Sequence, residues 1–425
     1  MKTRTAWSDV VQTGTARFYW LAVGVGSTLI TTRYLGPDGR GVLAAAVTWA
    51  NLFTTVGYLS LPQVIMFLAT ARRQEEWLPP VVGTLLVIVG ATAVGSWIVV
   101  AIMAGWPGAT VFRHLPVAVT LVTFAALPGM LWLENGNAVL IASNRLRVLN
   151  VTQVVGGSAN LLLTFLLVAV FHIGVIGALA AILAAQLITC AIGLRSIRRP
   201  RKRLNFDRAI ATTLLSGGTR LHLNAVGTFL VTQSGVLVLN HFRSSAETAY
   251  YQLALQLITA IQVLPMAVST VAYGIVLREG ADTGWSDHRR LLIQSLAAVS
   301  VVVAVAYAAA PVAVQVLAGR EFLPAVDVFR TLLLGVIGMT MSTIMASQWI
   351  SRGFFLRVAF MSTISGLAVL GANWLVIPRY GMQGAAWVLV GIYTISILVN
   401  GVMLLWVERR WRRLGRARPA IASPA

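Results

Sequence analysis

Two arginines inside apolar stretches carry the most distinctive chemistry in this sequence. Arg17 closes the run Gln12-Thr13-Gly14-Thr15-Ala16-Arg17, and Arg220 closes Leu215-Ser216-Gly217-Gly218-Thr219-Arg220, 203 positions later. A guanidinium is a planar fork of donors that suits phosphate oxygens in pairs. Either arginine alone could bend its head back to the membrane surface. Their shared place in a repeat favours a facing pair that holds an anion. Polar stripes at helical spacing run beside them: Thr48, Asn51, Thr55, Tyr58 and Pro62; then Arg220, Asn224, Gly227, Val231 and Ser234; then Gln252, Gln256, Thr259, Met266, Thr270 and Tyr273. Such stripes line wet cavities, and they also glue helices together in any bundle. Pro62 and Pro265, again 203 apart, favour the cavity, because a proline inside a helix leaves a bend and an unpaired carbonyl. The candidate substrate-binding residues are therefore Arg17, Arg220, Asn51, Tyr58, Asn224, Gln252 and Gln256. Glu134, in LPGMLWLENGNAVLIASNR, is expected as a buried carboxylate about ten residues inside its span, near mid-membrane. It is either a structural partner within its own half or a proton- or sodium-coupling group.

Catalytic chemistry leaves little trace. The two lysines, Lys2 and Lys202, do not follow a glycine, so there is no GxxxxGK[ST] loop and no sign of ATP-driven transport within this chain. His114, His172, His222, His241 and His288 show no metal-ligand spacing, and no external loop holds paired carboxylates. Neither a metal, nor a cofactor, nor an enzyme activity is expected. The single cysteine, Cys190, lies in an apolar stretch, which excludes an intramolecular disulfide.

The elements that must position these residues are membrane spans. The chain is 57% hydrophobic and only 11% charged, a composition that excludes a water-soluble fold of this length. About twelve apolar spans can be marked, near 10–32, 42–69, 80–104, 114–142, 147–171, 174–194, 209–240, 247–277, 291–317, 324–350, 355–377 and 380–407. They read as helices, because the alternation of a membrane barrel is absent. The formal charge of +20 is no nucleic-acid footprint, since the positive residues fall in short runs between spans. With both termini in the cytosol, 24 of the 33 Lys and Arg lie on the cytosolic side and 7 outside, as the positive-inside rule requires of a protein of the cytoplasmic membrane. The N-terminus reads as the retained start of the first span, not a cleaved signal. Trp77, Trp106, Trp285, Trp406 and Trp411 near span ends read as interfacial anchors, and the tail ERRWRRLGRARP as a lipid-headgroup-facing segment.

The midpoint carries the heaviest basic run, RSIRRPRKRLNFDR, with seven Lys or Arg in fourteen residues. Its flanks match each other: Asn144-Arg145 with Ser351-Arg352, and the GxxGA at Gly174 with that at Gly381, both 207 apart. The expected organisation is a six-helix lobe over 1–194, a basic cytoplasmic linker over 195–208, a second homologous six-helix lobe over 209–408 and a basic tail over 409–425. Six spans per half give both halves one orientation, so any central cavity lies on the axis between them.

TRYLGPDGRGVLAAAVTWANLFTTVGYLSLPQVI resembles the first loop and second helix of Wzx-type polysaccharide exporters and lipid-linked oligosaccharide flippases. These belong to the multidrug/oligosaccharidyl-lipid/polysaccharide exporter superfamily. NWLVIPRYGMQGAAWVLV and HIGVIGALAAILAAQL resemble the last helix junction of each half. The likeness spans nearly the whole chain. It implies two lobes in a V around a cavity lined by helices 1, 2, 7 and 8, with Arg17 and Arg220 placed to hold a substrate diphosphate. The implied activity is flipping of a polyprenyl-diphosphate-linked oligosaccharide by alternating access, with membrane lipids, glycosyltransferases and a polymerase as partners. The chain departs from fourteen-helix lipid II flippases in having no room for two further helices, and from multidrug exporters in lacking an acidic cluster in the first helix. A multidrug or cation antiporter on the same fold, or a membrane scaffold without transport, are the alternatives.

Reporter fusions test the arrangement of spans. Those after Gln74, Leu204 and Trp285 should read cytosolic, and those after Asp38, Ser244 and Glu321 external. A reversal at Leu204 contradicts both the repeat and the orientation.

Overall fold

In a bilayer no water pairs the backbone, so a spanning chain satisfies its N–H and C=O groups within helices. The computed structural model follows that rule throughout. It describes residues 3–71, 78–105, 112, 115–197 and 204–417, with side chains described at 19, 22–69, 78–105, 112, 115–197, 204–219 and 222–413. The helices are α1 (Thr3–Gly57), α2 (Leu61–Ala71), α3 (Leu78–Gly105), α4 (Val117–Ala125), α5 (Leu127–Ala142), α6 (Leu146–Thr164), α7 (Val175–Ile197), α8 (Arg208–Phe242), α9 (Ser245–Glu279), α10 (Trp285–Ala318), α11 (Ala325–Leu333), α12 (Val336–Ser351) and α13 (Phe355–Ala417). No strand occurs among the described residues.

Helix count and span count differ because glycine and helix breaks divide the spans. A straight helix the length of α1 or α13 would be more than 80 Å long, over twice the roughly 30 Å of hydrocarbon. Each is divided by one glycine in the left-handed region, Gly36 (φ 64°) and Gly381 (φ 56°). Conversely, α1 bends by 45° into α2 across Tyr58–Ser60, and α11 by 47° into α12. The π-helical turn Phe165–Val170 continues α6, and Ala126 joins α4 to α5. Among the described residues eight helices are long and apolar enough to cross a membrane, or ten with each bent pair taken as one span; counting α1 and α13 as divided at their glycines reaches the twelve expected. The turns are tighter than expected, since helix continues to Gly36 and resumes at Pro37 where the sequence suggested a loop over 33–41. The matched turns share one device: Gly174 and Gly381 both have positive φ. The broken spans α4–α5 and α11–α12 also occupy matching places in the two halves.

Among the described residues, the turns at 143–145, 204–207, 280–284 and 352–354 lie on one side, here called the linker face; the turns at 36–37, 171–174, 243–244 and 319–324 define the far face. On the linker face, Asp207 caps α8 by accepting from the backbone N–H of Ala209 (2.8 Å) and Ile210 (3.1 Å). Its own N–H donates to Thr84 Oγ1 at 3.0 Å. A side chain at Gly83 would run into the Asn205 backbone, so the linker's end is pinned to the start of α3. Residues 198–203 of the linker lie outside those described.

A second linker-face clasp ties two turns to α13. Asp282 pairs with Arg352 (2.7 Å) and Arg410 (3.1 Å). Burial alone would raise the Asp282 carboxyl, but hydrogen bonds and charge from the two arginines hold it below the usual carboxylate range. Trp285, expected at the lipid interface, is fully buried beside this clasp and donates to Glu408 at 2.7 Å. A buried indole needs an acceptor, and here it has found one in the protein. Trp77 and Trp106 lie outside the described residues.

The cores follow the halves with one exception. Leu61, Ile65, Leu85 and Leu131 form a cluster in the first half, and Ile210 and Leu214 of α8 belong to it. Tyr251, Leu253, Phe322 and Ile377 form the second-half core. Thus α8 starts within the first half's packing and then crosses to α13. That crossing is backbone-close: a Cβ at Gly227 would meet the Ser362–Thr363 backbone, and one at Gly366 the Gly227 backbone. Thr363 Oγ1 donates to the Leu223 carbonyl (3.1 Å), and Asn373 Nδ2 to Ser234 Oγ (3.1 Å). Small residues permit such an approach, and polar side chains then bond across it. Gly227→Val should lower the thermal midpoint of the detergent-solubilised protein by an amount matching about 1–3 kcal/mol of overpacking, because backbone faces it and cannot give way. An unchanged midpoint would mean that the two helices are not packed this closely.

Candidate functional site

The candidate residues assemble at two levels where α1, α2, α8 and α9 meet. The first level lies on the linker side of mid-membrane, where α1 breaks into α2. Leu59 and Ser60 both have positive φ (51° and 52°), a conformation that costs about 1–3 kcal/mol for residues with side chains. The break has a chemical consequence. Tyr58 N–H reaches back to the Thr54 carbonyl (2.9 Å) and Leu61 N–H only to Tyr58 (3.1 Å), so carbonyls at the helix end lose their usual partners. Buried Ser60 Oγ lies 3.3 Å from His222 Nδ1 of α8. The Tyr58 ring meets the same imidazole edge-to-face at 5.7 Å, and His222 Nε2 is buried without a hydrogen bond. Glu134 of α5 stands within electrostatic reach of Tyr58.

The second level lies toward the far face, where α1 meets α9 and α10. Gln256 accepts from Thr28 Oγ1 (3.3 Å) and from Arg40 Nη2 (3.2 Å). Thr32 Oγ1 donates to the Leu317 carbonyl (3.4 Å) and Arg33 Nη2 to the Val316 carbonyl (3.1 Å). Gly41 packs so tightly against Ser245 that a Cβ would collide with the Ser245 carbonyl. Among the described residues, side-chain hydrogen bonds between α1 and α9 stop at Gln256. Below it, Thr259, Met266 and Thr270 of α9 are exposed.

Of the sequence candidates, Tyr58 joins the first level and Gln256 the second. Asn51 is half-buried between them. Gln252 is half-buried with its Oε1 unpaired, and Asn224, two residues past His222, is exposed. The side chains of Arg17 and Arg220 lie outside the described residues; their positions are on α1 and α8. Three expectations change. Glu134 is exposed on the surface of its half, whereas Asn135 beside it is buried and donates to the Leu131 carbonyl at 2.8 Å. The α8 stripe divides after Asn224: Gly227 and Ser234 pack against α13 and serve as helix–helix contacts. Pro62 interrupts no helix, because it sits in the first turn of α2, where a proline N–H would have no partner anyway. Pro265 does lie inside a helix, α9.

Thr28, Arg40, Ser60 and His222 were not singled out from sequence. Arg40 reads as a loop cation, and only the Gly36 turn shows that it points inward. His222 could have been found from its spacing, two residues past Arg220.

This all-helical architecture, with many apolar spans, shares its fold with solved transporters of the multidrug/oligosaccharidyl-lipid/polysaccharide superfamily. An inward-facing multidrug-resistance MATE transporter of that superfamily is 14% identical, with 94% of this chain and 96% of that one covered and a TM-score of 0.70. The lipid II flippase MurJ, inward closed, is 14% identical over 91% of this chain and 86% of its own, TM-score 0.70. A superfamily transporter from Pyrococcus furiosus, described as having a binding pocket of reverse polarity, is 15% identical over 96% and 93%, TM-score 0.51. Residues 12–275 match the polysaccharide biosynthesis protein family, and the chain belongs to it. No curated protein sequence matches.

Glu134→Gln tests the carboxylate at the first level. If Glu134 couples transport to protons, the variant should insert normally and lose the pH dependence of transport. Full pH-dependent activity would leave Glu134 a structural part only.

Proposed function

We propose that this protein moves a polyprenyl-diphosphate-linked oligosaccharide from the cytosolic to the external leaflet of the cytoplasmic membrane. The observation that carries the reading is the pairing of a polysaccharide biosynthesis family with a transporter fold. Sequence offers no catalytic constellation beside that pairing, so the part played in biosynthesis is transport and not synthesis. Charge asymmetry places the linker face and both termini in the cytosol.

Alternating access then follows from the contacts. The halves, 1–194 and 209–408, are tied on the far face by the seam of Thr32, Arg33, Arg40 and Gly41. One face of the linker-side half of α9, at Thr259, Met266 and Thr270, is exposed, which supports entry of the substrate from the cytosolic side. Arg17 and Arg220, at matching positions of α1 and α8, take the diphosphate. Asn51, Tyr58, Asn224, Gln252 and Gln256 offer hydrogen bonds to the first sugars or the phosphates. Rocking about the axis closes the cytosolic side and parts the far seam. Membrane lipids surround the path, and glycosyltransferases and a polymerase supply and consume its cargo. The accessible Glu134 beside Tyr58 favours coupling to a cation gradient, and it is also what a multidrug antiporter on this fold would use.

The paired arginines separate these readings. Removing one bidentate partner of a partly desolvated diphosphate should cost about 2–5 kcal/mol, so Arg17→Ala and Arg220→Ala should each cause lipid-linked oligosaccharide to accumulate on the cytosolic leaflet. Arg→Lys should rescue in part, since it keeps charge but loses the fork. Normal translocation by both alanine variants at normal abundance overturns the site. Retained or increased export of cationic drugs would favour the antiporter.

A further inference from the structure

Arg40 is the least explained charge among the described residues. Its backbone belongs to the far-face turn, four residues past Gly36, yet the residue is only 9% exposed. The groups around its head lie deep. Thr28 is about 12 Å inside Gly36 and Gln256 about 16 Å inside the start of α9, by helical rise. The guanidinium therefore forms the roof of the path and does not reach for the membrane surface. A buried guanidinium is ordinarily matched by a carboxylate. Asp38, Glu247 and Glu321 occupy the neighbouring turns, but among the described residues none comes within ion-pair distance of it. Its guanidinium bonds one neutral amide oxygen, Gln256 Oε1, at 3.2 Å, and that oxygen is shared with Thr28.

A full positive charge held by one shared neutral acceptor is poised for a stronger one. Phosphate oxygens bond a guanidinium in pairs with opposite charge, while an amide offers a single uncharged lone pair. The Arg40–Gln256 contact also joins the two halves, α1 to α9, at the inner edge of the far seam. We propose that Arg40 is an anion-responsive latch, in which a phosphate group arriving at the roof of the path takes the guanidinium from Gln256 and so loosens the far face. The latch couples arrival of cargo to opening on the other side, because a phosphate that pairs with the guanidinium edge carrying Nη2 competes with Gln256 for that nitrogen. The identity of the anion as a substrate diphosphate rests on the flippase reading above; the latch itself rests on the contact.

Site-specific labelling tests it. Cys190 is the single native cysteine and is buried, so Cys190→Ala gives a clean background. Thr32, 1% exposed within the seam, becomes the reporter as Thr32→Cys. The reconstituted protein is treated from the far face with an impermeant maleimide, alone, with inorganic pyrophosphate on both sides, or with a polyprenyl diphosphate in the vesicle. The expected result is slow labelling that either diphosphate accelerates several-fold. Arg40→Gln and Gln256→Ala should both label fast without ligand and respond no further, and Arg40→Lys should keep a reduced response. Should Arg40→Gln fail to fold, Gln256→Ala carries the test with Arg40 intact. Protection as slow as the parent's in the opened variants, a diphosphate response persisting in Arg40→Gln, or no response of the parent to either probe overturns the latch. A response to pyrophosphate without one to the lipid form upholds the latch and overturns the lipid-linked substrate.

Discussion

A path across a membrane must be shut at one end before it opens at the other, and here the shut end depends on backbone-to-backbone contact at Gly41. Because Gly41 has no side chain, α1 lies directly on the first residue of α9, Ser245. That approach brings Thr32 and Arg33 to the last carbonyls of α10, which have no partner within their own helix. In low dielectric those carbonyls need donors, and the other half supplies them. The seam is therefore polar but satisfied, and it can part once water or substrate supplies the same bonds. An apolar seam of equal area would hold with no such exchange.

The opposite level is governed by strain. Placing Leu59 and Ser60 in the left-handed region stores about 1–3 kcal/mol at each residue, and burial of Ser60 and Leu61 against the first-half core holds them there. What the break provides is a serine hydroxyl facing His222, in a region where an intact helix would continue. Its counterpart in the second half, α9, runs unbroken through Pro265. The two halves share a plan, but only the first has a hinge at this place.

Helix α8 links these two regions. Its first turns are buried with α2 and α3, and its middle is locked to α13 through Gly227 and Gly366. A rocking of one half against the other therefore acts on α8 between those attachments, near Arg220 and His222. The linker that precedes it is pinned at Asp207 and Thr84, so motion of α8 starts from a fixed end.

Sequence by itself determined the all-helical, many-spanning class and turns that divide the spans. Those properties follow from hydrophobic length, from where cations fall, and from turn residues such as Gly174 and Gly381, each a local quantity. It also located Tyr58 and Gln256 as polar positions on inward faces. Depth and direction were decided by tertiary structure. Arg40 looked like a loop cation until the Gly36 turn aimed it inward, and Glu134 looked buried although it is its neighbour Asn135 that packs inside. Gly227 and Ser234 read as cavity lining until α13 covered them. A helical stripe says which residues share a face; only packing says whether water, lipid or another helix meets that face.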